Sequence, residues 1–399
     1  MSLEAPLGCD SFSSFTYFLW FGLFFISFDY RYLIPVDIAF FLFVILVNKS
    51  YAISIYSFMI LFLMPVLNYD LKFMAIYFIA ITFGGHIISR TNTRAGLIGA
   101  GIKLSTLKVV VYLLLSFFSD VENFSTAVNA SFIILSGILS GMLTIALLPY
   151  FEKTFNLLTI FRLLELGDLS HPLLRKISME APGTFQHSMM VATLSENAAT
   201  AIKANAVFCR VASYYHDLGK TKRPKFYVEN QRNGVNPHNK ISPFMSTLII
   251  TSHTRDGAEL AKDYGIPKEI RDIMYEHQGT TFLAYFYNAA KNLDSSVQKE
   301  DFRYSGPKPR TKESAIIMLA DSIEAAIRSL DEKTPIVMEN MIRKIIASKI
   351  EDNQLSEANL TFQEIEIIVK TFVKTLMSIH HVRIKYPGQE KISKDKIEK

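Results

Sequence analysis

The chain has only two cysteines, Cys9 and Cys209, in 399 residues. They lie far apart and form neither a disulfide framework nor a thiolate metal motif. Cys209 falls inside an apolar helical pattern, where it reads as a small core residue. Excess charge is also modest, with 42 Lys and Arg against 37 Asp and Glu. No stretch carries a nucleic-acid-binding signature, so nucleic acid is not expected as a partner. Internal repeats and low-complexity segments are missing. No secretory signal is expected either, because no basic residue precedes the first apolar stretch and no small-residue cleavage site follows it. Beyond about residue 183 there are no alternating strand patterns, which leaves helices alone. No Ser-His-Asp arrangement is present to supply a protein nucleophile.

The first 150 residues, in contrast, are rich in apolar and aromatic side chains, and ordinary charge density begins only after them. Six hydrophobic stretches stand out, at roughly 12–28, 34–47, 51–67, 71–89, 97–118 and 124–149. A spanning helix needs about 20 apolar residues, so the second stretch is short and could be re-entrant or tilted. The expectation is an all-α protein: a polytopic bundle of about six spans in membrane lipid over 1–150, a juxtamembrane linker over 151–182, a helical domain over 183–387 and a frayed tail over 388–399. Arg90 and Arg94 lie between the fourth and fifth stretches, with Lys103 and Lys108 soon after, and Lys153, Arg162, Arg175 and Lys176 follow the sixth. Only Asp120 and Glu122 lie between the fifth and sixth. Basic loops stay inside, which places the second half in the cytoplasm of a multi-pass cell-membrane protein. His86 is an ionisable group within a span, read as an interfacial histidine beside Arg90. Phe155–Gly167 forms an amphipathic run, either under the bilayer or packed on the second domain.

Chemistry concentrates at Tyr214-Tyr-His-Asp-Leu-Gly-Lys220. Asn205 can cap a helix whose Val207, Val211 and Tyr215 share a face. Gly219 is the expected left-handed stop. His216 and Asp217 then end that helix side by side, where each can hold a divalent metal. A lone His-Asp pair is more often a capping pair, so the remaining pattern decides. His187, His253 and His277 are also flanked by small or polar residues and are expected near helix ends. Asp321 is surrounded by aliphatic residues on its own helix, so it must pair, bind metal or border a cavity. Lys220, Lys222 and Arg223 either hold the phosphates of a substrate or form a solvated basic turn. Glu324 reads as a helix salt bridge to Arg328. His171, His380 and His381 read as structural.

Taken together, His187, His216-Asp217, His253, His277 and Asp321 resemble the metal framework of the HD-domain phosphohydrolase superfamily. More narrowly, Glu180-Ala-Pro-Gly-Thr-Phe-Gln-His-Ser188, the His216-Asp217 stretch, Asn236-Pro-His-Asn-Lys-Ile-Ser-Pro243, Asp301-Phe-Arg-Tyr-Ser-Gly-Pro-Lys-Pro309 and Ala320-Asp-Ser-Ile-Glu-Ala-Ala326 are similar to the seven-transmembrane HD-domain (HDIG-type) proteins of bacteria. Members of that family are cyclic di-AMP phosphodiesterases. The resemblance implies two divalent ions, Fe or Mn given imidazole and carboxylate donors. His187, His216 and Asp321 would hold one, His253 and His277 the other, and Asp217 would bridge. Asp217, His216 and Lys220 would be the catalytic group, with Lys220, Lys222, Arg223 and His238 near a cyclic dinucleotide substrate. Against cyclic di-GMP, the residues after His277 are Gln-Gly-Thr-Thr rather than a Gly-Tyr-Pro signature. A different nucleotide substrate stays open, as does a receptor that binds nucleotide without turnover, and so does a homodimer. The family's extracellular domain is not expected here, because apolar stretches begin by residue 12, and its label promises seven spans where about six are counted.

Overall fold

The computed structural model describes residues 28–65, 70–118, 123–231 and 236–379. Most of the first apolar stretch, the end of the third, Cys9, Asp120, Glu122, His380, His381 and the tail from residue 388 lie outside the described residues. Two compact units divide the chain at Arg162 and Leu163. Among the described residues there is no strand, only an isolated bridge between Phe282 and Arg303. The all-α expectation holds.

The first unit contains α1 (Asp37–Leu46), α2 (Lys49–Leu63), α3 (Leu71–Ser89), α4 (Arg94–Phe117) and α5 (Asn123–Phe155). Of the six apolar stretches, the last three form helices long and apolar enough to cross a membrane. The second forms α1, whose ten residues extend roughly 15 Å, about half of a bilayer core. Capping follows residue chemistry: Asn48 Oδ1 accepts from Tyr51 N at 3.0 Å and Thr93 Oγ1 from Gly96 N at 3.0 Å. α4 and α5 touch through backbone. A Cβ on Gly101 would lie 2.1 Å from the Gly137 carbonyl oxygen, and one on Gly141 would meet Leu97 O at 2.8 Å. Small residues four apart allow this close approach in lipid, where dispersion and packing drive helix association. The Phe155–Gly167 run is not one helix: α5 ends at Phe155, Asn156 turns at φ 50, and α6 (Ile160–Leu166) starts afresh.

One cation of this unit departs from the charge pattern expected of it. Lys108 is not a loop cation. It lies inside α4, buried, and forms an ion pair with Asp37 at the start of α1. Tyr56 of α2 donates to Asp37 Oδ1 at 3.1 Å, and the Lys108 ammonium lies 3.8 Å from the Tyr77 ring centroid on α3. Four helices thus converge on one charge pair inside an apolar cluster. Asp37 carries no mark in the sequence, because a single acid at the start of an apolar run looks like a boundary residue. Breaking a buried pair from one side is far costlier than replacing both partners, about 3–5 kcal/mol. Asp37→Ala should therefore lower the thermal midpoint of the detergent-solubilised chain sharply, and Asp37→Leu with Lys108→Met should recover most of it. An Asp37→Ala protein that melts like wild type would show that Lys108 needs no partner.

The second unit is built on α8 (Pro182–Ala201). Against it pack α7 (Pro172–Glu180), α9 (Ala206–Tyr215), α13 (Lys312–Arg328) and α15 (Phe362–Ile379). α10 (Pro243–Asp263), α11 (Lys268–Glu276), α12 (Ala284–Lys291) and α14 (Pro335–Glu351) complete it. Proline opens α10 and α14 behind the caps Ser242 and Thr334, whereas Pro267 is itself the cap residue of α11. Along α13 every residue from Ser314 to Asp321 is buried, so this helix has no solvent face over two turns. Asp321 is carried into the interior with it.

Candidate metal centre

Five helices and one turn deliver six side chains to one buried place. His187 sits in the second turn of α8. His216 is the C-cap of α9, with Asp217 next to it, and His277 is the C-cap of α11. His253 lies in the middle of α10 rather than at an end. Asp321 comes from the middle of α13. All six are at most 8% exposed.

Asp217 is the hub. Its Oδ2 is 3.3 Å from His216 Nε2 and 3.7 Å from His187 Nε2; its Oδ1 is 3.4 Å from His253 Nε2 and 3.7 Å from His277 Nε2. Asp321 Oδ1 reaches His187 Nε2 at 2.9 Å and His216 Nε2 at 3.8 Å. Donors able to share an ion form two groups, His187-His216-Asp321 and His216-Asp217-His277. His253 joins the second side through His277, with the two Nε2 atoms 3.2 Å apart.

The backbone fixes which ring nitrogen faces inward. His216 Nδ1–H donates to the Ser213 carbonyl at 2.7 Å, His253 Nδ1–H to Ile250 at 2.6 Å, and His277 Nδ1–H to Met274 at 3.0 Å. Each is a carbonyl three residues back, so the chain's own backbone orients the ring. His187 differs, since its Nδ1 meets Glu324 Oε2 at 2.5 Å. In every case Nε2 is left for the centre.

The residues fit a cation. Buried His216 Nε2 and Asp217 Oδ1 have no hydrogen-bond partner, and Asp217 Oδ2 is met by a cation alone, the Lys220 ammonium at 2.7 Å. Buried polar atoms are rarely left so, and a carboxylate is the costliest to leave. His253 and His277 are held neutral: burial lowers both, and the neighbouring His216 imidazolium helps to push His277 down to about 3. Two neutral rings with Nδ1 already donating then point lone pairs at each other across 3.2 Å, which repel unless something positive lies between. Burial opposes the His216 imidazolium, yet Asp217 and Asp321 outweigh it and raise its pKa to about 10 in the metal-free protein. Burial likewise opposes ionised Asp217, but His216 and Lys220 keep it well below the usual carboxylate range.

Around the six, Lys220 Nζ lies between Asp217 Oδ2 at 2.7 Å and Glu229 Oε1 at 2.9 Å. Lys222 and Arg223 share Asp256, at 2.9 and 3.6 Å, and are half-exposed. His238 is set apart from the histidine cluster: its Nε2 meets the Phe226 carbonyl at 3.0 Å and its ring lies between Phe226 and Phe286. Three further contributors are not evident from sequence. Glu324 bonds to Arg328 as expected, Nε at 3.1 Å, but its other oxygen orients His187. Its place one turn after Asp321, on the same face, is the one signal of that role. Gln278 donates to Asp321 Oδ2 at 2.7 Å, and Glu229 braces Lys220; neither carries a mark in the sequence.

Comparison with known proteins agrees with this geometry. A family model described as a 7TM receptor with intracellular HD hydrolase matches residues 11–159, and the HD domain model matches 184–326. The crystal structure of the HD domain of the phosphodiesterase PgpH from L. monocytogenes, in complex with cyclic-di-AMP, is 51% identical. It superimposes with a TM-score of 0.52, over 53% of this chain and 99% of that one. The chain belongs to the seven-transmembrane HD-domain family. Two curated relatives are the cyclic-di-AMP phosphodiesterases PgpH of Bacillus subtilis, 45% identical over 317 residues, and of Listeria monocytogenes, 44% over 301. The matches take in 79% and 75% of this chain but 45% and 42% of those proteins, so the chain spans less than half of their length.

Gly219 has a different role in this HD unit from the one expected. It is not left-handed; it lies in a short 3-10 segment, Leu218–Lys222. A Cβ there would stand 2.0 Å from the His253 carbonyl oxygen and 2.6 Å from Gly257 N. The missing side chain lets the Asp217 turn press against the middle of α10, which is how His253 reaches Asp217. Gly219→Ala should push the two apart, costing about 1–3 kcal/mol of stability and most of the bound metal. Elemental analysis and a thermal melt would check it; wild-type values in both would mean the turn can step back freely.

Proposed function

We propose that this chain is a membrane-anchored, metal-dependent phosphodiesterase that hydrolyses cyclic di-AMP to pApA. The single observation that carries the metal part is buried Asp217, whose Oδ1 has no hydrogen-bond donor and whose two oxygens each face histidine Nε2 atoms on their own side. His187, His216 and Asp321 would hold one ion, His253 and His277 the other, with Asp217 between. Oxygen and nitrogen donors without thiolate favour Fe or Mn. Bound there, such ions activate water near neutral pH and offset charge on phosphoryl oxygens. The relatives named above support the substrate. The chain's own residues supply the frame: carbonyls and Glu324 present each Nε2, and Lys220 keeps Asp217 ionised and oriented. The cytoplasmic side for the HD unit is supported by Arg90, Arg94 and Lys103, with Lys108 no longer counted.

The full chain in detergent, loaded with Mn or Fe, should convert cyclic di-AMP to pApA and lose that activity on chelation. In a panel of cyclic dinucleotides, faster turnover of another member would reassign the substrate. Asp217→Ala removes the shared ligand, so metal content should fall together with turnover, by a factor of about a thousand or more. A fully metallated, active Asp217→Ala protein would end the two-metal reading.

Topology has its own check. A reporter fused after Lys153 should read cytoplasmic and one between Asp120 and Glu122 external. The same side for both would refute the orientation.

A further inference from the structure

Most cations around the centre already face carboxylates. Lys220 lies between Asp217 and Glu229, Lys222 and Arg223 share Asp256, and Arg328 is held by Glu324. Lys349 is different. It sits near the end of α14, 9% exposed, and its Nζ donates to Thr281 Oγ1 at 2.8 Å. Thr281 belongs to the turn that follows His277, and Gln278 of that turn touches Asp321. The ammonium therefore lies in the wall beside the metal centre.

Two carboxylates are near enough to act on its charge, Asp321 and Asp352. Both are engaged elsewhere. Asp321 lies 2.9 Å from His187 Nε2 and accepts from Gln278 at 2.7 Å. Asp352 takes both prongs of Arg303, at 2.9 and 3.1 Å, and Gln354 Nε2 at 2.9 Å. Among the described residues no carboxylate oxygen comes within 4.0 Å of Lys349 Nζ. Burial pulls the Lys349 amine below its ordinary range, Asp321 and Asp352 only partly oppose this, and an anion against Nζ would complete the compensation of its charged form. Holding Thr281 does not require the charge. A neutral amide would donate as well, and the same turn is already fixed by Gln354 on Thr280 N at 2.9 Å and Arg303 on the Thr280 carbonyl at 2.7 Å.

We propose that Lys349 is a substrate-binding residue whose ammonium pairs with a phosphodiester oxygen of the ligand at the metal centre. This rests on the phosphodiesterase reading above. It adds a positive contact to those that the Lys220 turn, whose cations already face carboxylates, can offer. A compact, three-donor ammonium suits a tetrahedral phosphoryl group approached from one side.

Lys349→Gln keeps a donor for Thr281 and removes only the charge. In the metal-loaded full chain, KM for cyclic di-AMP should rise about ten- to a hundredfold, the effect of one charge-assisted hydrogen bond. The kcat and the metal content should stay within about twofold of wild type. The melting temperature should hold or rise, because an uncompensated buried charge has gone; anchoring of Thr281 alone would predict no change in KM. Lys349→Arg keeps the charge and should lie closer to wild type in KM than Lys349→Gln. An unchanged KM in Lys349→Gln overturns the proposal. Failure of the activity itself reads differently. If the metal-loaded wild type turns over no cyclic di-AMP, inorganic phosphate becomes the probe, with its Kd measured by calorimetry. That Kd should weaken about tenfold in Lys349→Gln, and equal values in the two proteins overturn the proposal.

Discussion

The second unit depends on one buried carboxylate. Asp217 is 1% exposed, has two oxygens, and is faced by two imidazoles on each of them and an ammonium besides. An ionised carboxylate cannot rest in an apolar interior without compensation. Each element that brings a side chain to this cluster is therefore also part of the solution to a solvation problem, and the arrangement of helices around this turn follows from it. His216 must come from the preceding residue, His253 from a helix close enough to touch Gly219, and His277 from a helix that stops where its last ring can turn inward.

The outer layer is economical in kind. Three imidazoles are oriented by carbonyls three residues back along their own chain, so no second side chain is required. His187 turns instead to Glu324, which Arg328 holds in place. That ring is aimed by a side chain from another helix, and its orientation exists only once α8 and α13 have packed. Lys220, braced by Glu229, belongs to this layer too, because its charge is matched within the fold.

The membrane unit solves a similar problem in apolar surroundings with fewer parts. Asp37 and Lys108 neutralise each other, Tyr56 supplies a hydroxyl and Tyr77 a ring face. Such a pair contributes little net stability over a well-packed apolar alternative, but it admits few arrangements of the four helices that carry it. Gly101, Gly137 and Gly141 set the other constraint, backbone against backbone, which fixes α4 and α5 at close range.

How much of this is legible in the sequence follows from the range of each interaction. Helix boundaries are local: Asn205, Ser242 and Thr334 cap because a short polar side chain can reach the first free amides of its own helix. The six residues of the centre can be singled out because buried imidazole and carboxylate are chemically unusual, and they stay unusual in one dimension. What tertiary structure decides are the pairings between residues far apart. Lys108 looks like a loop charge until Asp37, 71 residues away, neutralises it. Glu324 looks like half of a surface pair until His187, 137 residues away, takes its second oxygen. Gly219 looks like a helix stop until α10 comes against it. A single chain position records what a residue is able to do, but its charge state, partner and free volume are properties of the space around it, and only folding supplies that space.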